Sequence, residues 1–88
     1  MRWRSYNPGN VQHNAVVTVA LNARANVRLM TKVNFAAYQR QQFYKMTGGV
    51  AVTPLFKMAI PQNGYWYVVL DVEGLNSPLL PAAVSVAH

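Results

Sequence analysis

Two runs of alternating residues bracket the tetrapeptide Pro61-Gln62-Asn63-Gly64, and they constrain the chain more than anything else in it. Residues 55–60 and 65–72 place apolar side chains at every second position, a period that belongs to strands. If Pro61 faces Tyr65, a three-residue loop joins the runs as a hairpin, with Gly64 free to be left-handed. This register predicts Phe56, Met58 and Ile60 on one face with Trp66, Val68 and Leu70. A slip by one would set Lys57 and Ala59 among Val68 and Trp66, so the first register is preferred. The opposite face then carries Leu55, Lys57 and Ala59 beside Tyr65, Tyr67, Val69 and Asp71. It is apolar enough to call for partial cover.

The rest of the chain reads the same way. Asn7-Pro8-Gly9-Asn10 is a turn cluster. Residues 15–21 form a β-branched strand with Val17, Val19 and Leu21 on its more hydrophobic side. Residues 26–30 form the next, with Val27 and Leu29 on one face and Arg28 and Met30 on the other. Residues 31–42 are the one helical candidate, with Phe35 and Tyr38 on one side and Thr31 or Asn34 available as an N-cap. Gly48-Gly49 breaks the chain, residues 50–53 make a short strand ended by Pro54, and residues 83–87 make the last strand with Val84 and Val86 inward. The pattern predicts one all-β domain over residues 1–88. It is an antiparallel β-sandwich of jelly-roll type with about six to eight short strands and one short helical turn near residues 33–41. A small, partly open barrel is the alternative.

Composition narrows function mostly by exclusion. Apolar residues are 52% of the 88 and charged ones 11%, which supports a core and excludes a disordered tail. There is no cysteine, hence no disulfide, thiolate nucleophile or cysteine metal site. No stretch is long and apolar enough to span a bilayer, and the residues after Arg2 and Arg4 do not continue as a signal peptide, so the expectation is a cytoplasmic protein without membrane insertion. Asp71 and Glu73 are the only acids. Two apart on a strand, they would face the same way, and paired carboxylates can hydrolyse glycosides; with no third catalytic group nearby, a strand end entering a solvated loop is the preferred reading. His13 and His88 are isolated, so no metal and no cofactor is expected. Ser and Thr lack a Gly-x-Ser-x-Gly elbow, and Gly48-Gly49 lacks the Gly-Lys-Ser/Thr ending of a phosphate loop.

Eight Lys and Arg against two acids give a net charge of +6, which attracts anions. Arg24, Arg28 and Lys32 would share one side of an extended chain, and Arg40 and Lys45 follow among Tyr38, Phe43 and Tyr44. Basic residues interleaved with aromatics can bind nucleic acid. Against this stands a solvated strand face with aromatics packed under the helical turn. Trp66 belongs with Val68 and Leu70 in the core; Tyr65, Tyr67 and Lys57 remain for a surface contact.

An ordered set of residues is similar to a known family. The set comprises Asn26-Val27-Arg28-Leu29-Met30, Asn34-Phe35, Tyr38, Gly48-Gly49, Pro54, Ile60-Pro61, Gly64-x-Trp66-x-Val68-Val69-x-Asp71 and Gly74-Leu75. Together they resemble the small bacterial family called domain of unknown function 1883, from about Tyr6 to Val86. The resemblance implies a short single domain or a module joined to Toll/interleukin-receptor-type domains, hence an accessory or recognition role. The chain departs from the family pattern at Tyr65 and Tyr67, where histidine is frequent, at Thr31, where aspartate is common, and in its last strand, which lacks an arginine.

These readings converge on a non-enzymatic binding module. Recognition of a protein partner, or self-association, comes first, through Lys57, Tyr65 and Tyr67. Polyanion or nucleic-acid binding through Arg24, Arg28, Lys32, Arg40 and Lys45 is the alternative, and a carboxylate-based hydrolase comes last.

Overall fold

The computed structural model describes residues 2–87. Seven strands and one helix follow in the order β1 (Trp3–Val11), β2 (Val16–Ala20), β3 (Ala25–Thr31), α1 (Lys32–Gln39), β4 (Thr47–Ala51), β5 (Leu55–Ala59), β6 (Gly64–Asp71) and β7 (Ala83–Ala87). They form two antiparallel sheets, β1-β6-β3-β4 and β5-β2-β7. This is the all-β sandwich expected from the sequence, with α1 laid on the outer face of the larger sheet.

The expected hairpin does not form. β5 pairs with β2, Met58 opposite Val17, while β6 lies in the other sheet between β1 and β3. Residues 60–63 therefore carry the chain from one sheet to the other. The Asn63 side chain accepts the His13 N–H at 2.6 Å, and the Trp66 indole donates to the Gln62 carbonyl at 3.0 Å. The sidedness read from the sequence survives because both arrangements collect the same apolar set. Trp66, Val68, Leu70 and Ile60 are buried and Phe56 and Met58 pack against them. In a hairpin these faces would need a third layer, whereas across a sandwich each buries the other.

Asn7-Pro8-Gly9-Asn10 is not a turn but the middle of β1. Register shifts between Tyr6 and Gly9, and left-handed Gly9 (φ 79°) absorbs the extra residue as a bulge. Gly48 and Gly49 likewise lie inside β4, which begins earlier than residue 50. Gly48 has φ 139°, and a Cβ there would stand 2.0 Å from the Val27 carbonyl oxygen; Gly49 has open space at the same point.

Of the face expected to need cover, the half on β6 is covered by α1, while Leu55, Lys57 and Ala59 are exposed on the other sheet. Phe35 and Tyr38 of α1 bury against Met30 and Val69, with Trp3, Tyr44 and Tyr67 around them. Burial of large apolar side chains, each worth about 1.5–3 kcal/mol, holds a helix too short to persist alone. Thr31 is the N-cap residue, in extended conformation, but its side chain makes no cap bond. Instead the Asn34 amide donates to Thr31 Oγ1 at 2.9 Å and its oxygen accepts the Lys45 N–H at 2.9 Å, tying the loop after the helix back to its start. No helix among the described residues is long and apolar enough to cross a membrane.

The two glycines of β4 should behave differently. Gly48→Ala is expected to cost at least about 2 kcal/mol in urea unfolding, because it combines a forbidden φ with a backbone clash. Gly49→Ala should be neutral or stabilise by up to about 1 kcal/mol. Equal losses at both positions would contradict the geometry.

Candidate functional site

An acid on a strand buried on both sides must find donors or abandon its charge. Asp71 ends β6 and is 0% exposed. Its register partner on β3 is Asn26, and Arg28 lies two residues on along the same face. Arg28 Nε donates to Oδ2 at 2.7 Å and Nη2 to Oδ1 at 3.2 Å; Asn26 Nδ2 donates to Oδ1 at 2.7 Å. Tyr38 Oη, brought down by α1, donates to Oδ2 at 2.5 Å, and the Glu73 N–H closes the set at 3.2 Å. Arg28 Nη1 also donates to Tyr44 Oη at 3.0 Å. The carboxylate thus joins two strands, the helix and the loops on either side. No buried side-chain nitrogen or oxygen among the described residues lacks a partner.

The electrostatics follow from these contacts. Burial alone would raise the Asp71 carboxyl, but hydrogen bonds from Arg28, Tyr38 and Asn26 outweigh it and hold it below its ordinary value. Burial, and then the bond to Asp71, push the Tyr38 phenol upward. The hydrogen bond to Asp71 raises Arg28 against the opposing effect of its own burial.

Beside this network, the end of α1 borders an open groove of about 640 Å³. Tyr38 and Tyr44 connect the network to it; Gln41, Gln42 and Val72 line it, with Arg2 and Glu73 supplying one charge of each sign. The helix ends without glycine. Gln41 is left-handed (φ 58°), and the Gln41 and Gln42 N–H groups close back on the Tyr38 and Ala37 carbonyls at 3.0 and 2.9 Å. The strained residue therefore sits on the groove wall.

The basic residues singled out in the sequence do not form one stripe. Arg28 is engaged by Asp71, and the strand stops at Thr31, so Lys32 opens the helix, with its ammonium 5.8 Å from the Tyr65 ring centroid. Arg24, Arg40 and Lys45 are exposed, in the β2–β3 connection, at the end of α1 and in the loop before β4. The supposed contact surface divides as well. Lys57 stands on the outer face of the smaller sheet beside Thr18, whereas Tyr65 and Tyr67 lie under the α1 side of the larger one. Tyr67 packs on Phe35 at 4.5 Å between ring centroids, and Tyr65 accepts a hydrogen bond from Asn7 at 2.8 Å. The contact surface divides because β5 and β6 belong to different sheets, and the basic stripe because β3 ends at Thr31. Asp71 and Glu73 do not act as a pair either, since Asp71 is sealed with its lone pairs taken while Glu73 is exposed. No three His, Asp or Glu side chains gather into a metal-binding group among the described residues.

A different surface emerges between α1 and β5. Phe43 is 91% exposed, Val50 51% and Val52 71%, with Met46 and Leu55 exposed on the same stretch. Nothing from Met46 to Phe56 carries a charge. β4 is the end strand of its sheet, so the middle of this stretch lies on an edge with no strand partner, before the chain crosses to β5 in the other sheet.

Two outcomes test this account. Asp71→Asn should cost about 3–5 kcal/mol at pH 7, because Arg28 is left without its counter-charge. The fold depresses the Asp71 value, so its stabilisation is present in full above the ordinary carboxylate value of ~3.9 and is lost as pH falls from there through the lower folded value. Urea unfolding against pH should show an acid limb in the parent that is flattened in the variant. Gln41→Gly should stabilise by about 0.5–1 kcal/mol by relieving the left-handed backbone, read as a higher melting temperature.

Comparison with known proteins adds one firm statement. A model of the family described as "Domain of unknown function (DUF1883)" matches residues 1–87. No curated protein matched the chain. No solved structure matched it. The matched span takes in both sheets, α1 and the Asp71 network, and the chain belongs to the DUF1883 family.

Proposed function

We propose that this chain is a non-enzymatic module that recognises another polypeptide through the surface between α1 and β5. The observation that carries the reading is the run of exposed apolar side chains from the end of α1 to the start of β5, Phe43, Met46, Val50, Val52 and Leu55, with the end strand β4 in its middle. Solvent-facing apolar side chains are ordinary when scattered singly; concentrated along a free edge they are a feature of binding surfaces. The surface also has a stiff neighbour, because the Arg28–Asp71–Tyr38 network ties α1 to β3, the strand that β4 pairs with. Preorganisation of this kind lowers the entropy lost on association. Exposed cations around it favour encounter with acidic partners.

Selection of displayed peptides on the immobilised protein checks the reading. Ligands are expected to enrich, and to bind Phe43→Ser and Val50→Lys at least tenfold more weakly than the parent. Both positions are exposed, so unfolding transitions should stay close to the parent's. A selection without enrichment, or ligands indifferent to both changes, would remove the proposal.

A further inference from the structure

We infer that the free edge of β4 takes an extended, acid-flanked segment of a partner protein as a fifth strand of the larger sheet. The inference rests on the recognition reading above and adds the mode of binding and the chemistry of the partner segment.

An end strand presents a row of N–H and C=O groups to solvent, and proteins usually blunt it with charge, proline or a bulge. The other edge of the same sheet is blunted: β1 carries the bulge at Tyr6–Gly9, with Pro8 inside it. In the smaller sheet, β5 carries Lys57 between Pro54 and Pro61. β7 turns only Ala83, Ser85 and Ala87 outward, small side chains with little to grip. β4 itself contains no charge, proline or bulge; it carries Val50 and is flanked by Met46 and Val52. Its two glycines also have different reasons. Gly48 is demanded by the approach of the Val27 carbonyl, but Gly49 has an unremarkable φ and open space where a Cβ would be. Glycine in a strand with no internal steric need leaves room for another backbone to come close.

Charge selects the occupant. Lys45 precedes β4, and Arg24 precedes Ala25, which pairs with Ala51, so the two exposed cations stand beyond opposite ends of the strand. Arg24 is level with Val52, seven positions from Lys45, about 23 Å at ~3.3 Å per residue. No acid lies between residues 24 and 70. A second copy of this chain would bring the same cations and a net charge of +6 against itself. An extended apolar segment with an acidic residue at each end, about seven positions apart, meets both cations and supplies the missing ladder.

The test uses a synthetic peptide of alternating Val and Thr with Glu at both ends, seven positions apart, titrated into the isotope-labelled chain. Amide shifts are expected to concentrate on residues 47–51. Replacing the terminal Glu by Lys should weaken binding at least tenfold, and Arg24→Glu with Lys45→Glu should reverse that preference. Methylating one alternate set of peptide amides should abolish binding, and methylating the other set should be tolerated, because only one set faces β4. Absence of shifts at millimolar peptide, shifts lying elsewhere, or equal tolerance of both methylated sets overturns the inference. So does a chain that dimerises through β4 without peptide, which would make the occupant a second copy. A selected ligand that needs Phe43 yet leaves the β4 amides unmoved sinks strand addition alone and leaves the recognition reading standing.

Discussion

One carboxylate organises the larger sheet and everything laid on it. Asp71 is sealed from water and kept charged by Arg28, Asn26, Tyr38 and the Glu73 amide. Those groups come from β3, from α1 and from the turn after β6, so a single anion fixes the position of all three. Burying an ion pair is not in itself a large source of stability; leaving one partner unpaired is a large penalty. Such a pair therefore specifies an arrangement more than it strengthens it. Here it specifies that Arg28 and Asp71 face the helix side, that Tyr38 points down, and that Tyr44 follows.

The two sheets consequently meet solvent differently. The larger one is buried on both faces along its two inner strands, as β6 shows: Trp66, Val68 and Leu70 face the other sheet, while Val69 and Asp71 face the helix side. The smaller sheet has one inner face, Val17 and Val19 with Met58 and Val86 about them, and an outer face of Val16, Thr18, Ala20, Lys57 and Ser85. Most of the large apolar groups left exposed among the described residues, Phe43, Met46, Val50, Val52 and Leu55, fall in residues 43–55, around the end strand β4, while Val33 and Leu80 are exposed elsewhere. A chain this small has little surplus apolar surface to leave in water without a use.

Much of the site was partly legible. Asn26, Arg28 and Asp71 all appear in the ordered set that marks the family, and an acid between Leu70 and Val72 is itself a signal that buried donors must exist. What hid the pairing was register: nothing in residues 26–28 says that they lie beside residue 71 rather than beside a neighbour in sequence. Gln41 was invisible for another reason, since its left-handed backbone carries no glycine to announce it. The groove it lines depends on where α1 stops, a matter of the last hydrogen-bonded turn.

By itself the sequence determined the β class, the place of the helix, and which side of each strand faces inward, because side-chain direction alternates with a fixed period of two and apolar residues follow it. Trp66, Val68, Leu70, Val17, Val19, Val84 and Val86 face the core on that argument alone. Only the tertiary structure decided which strands are neighbours. Sidedness is the same whether residues 55–60 and 65–72 pair in one sheet or face each other across two, so local pattern cannot separate a hairpin from a crossing. That choice moved Lys57 away from Tyr65 and Tyr67, closed Asp71 over Arg28, and left β4 at an open edge.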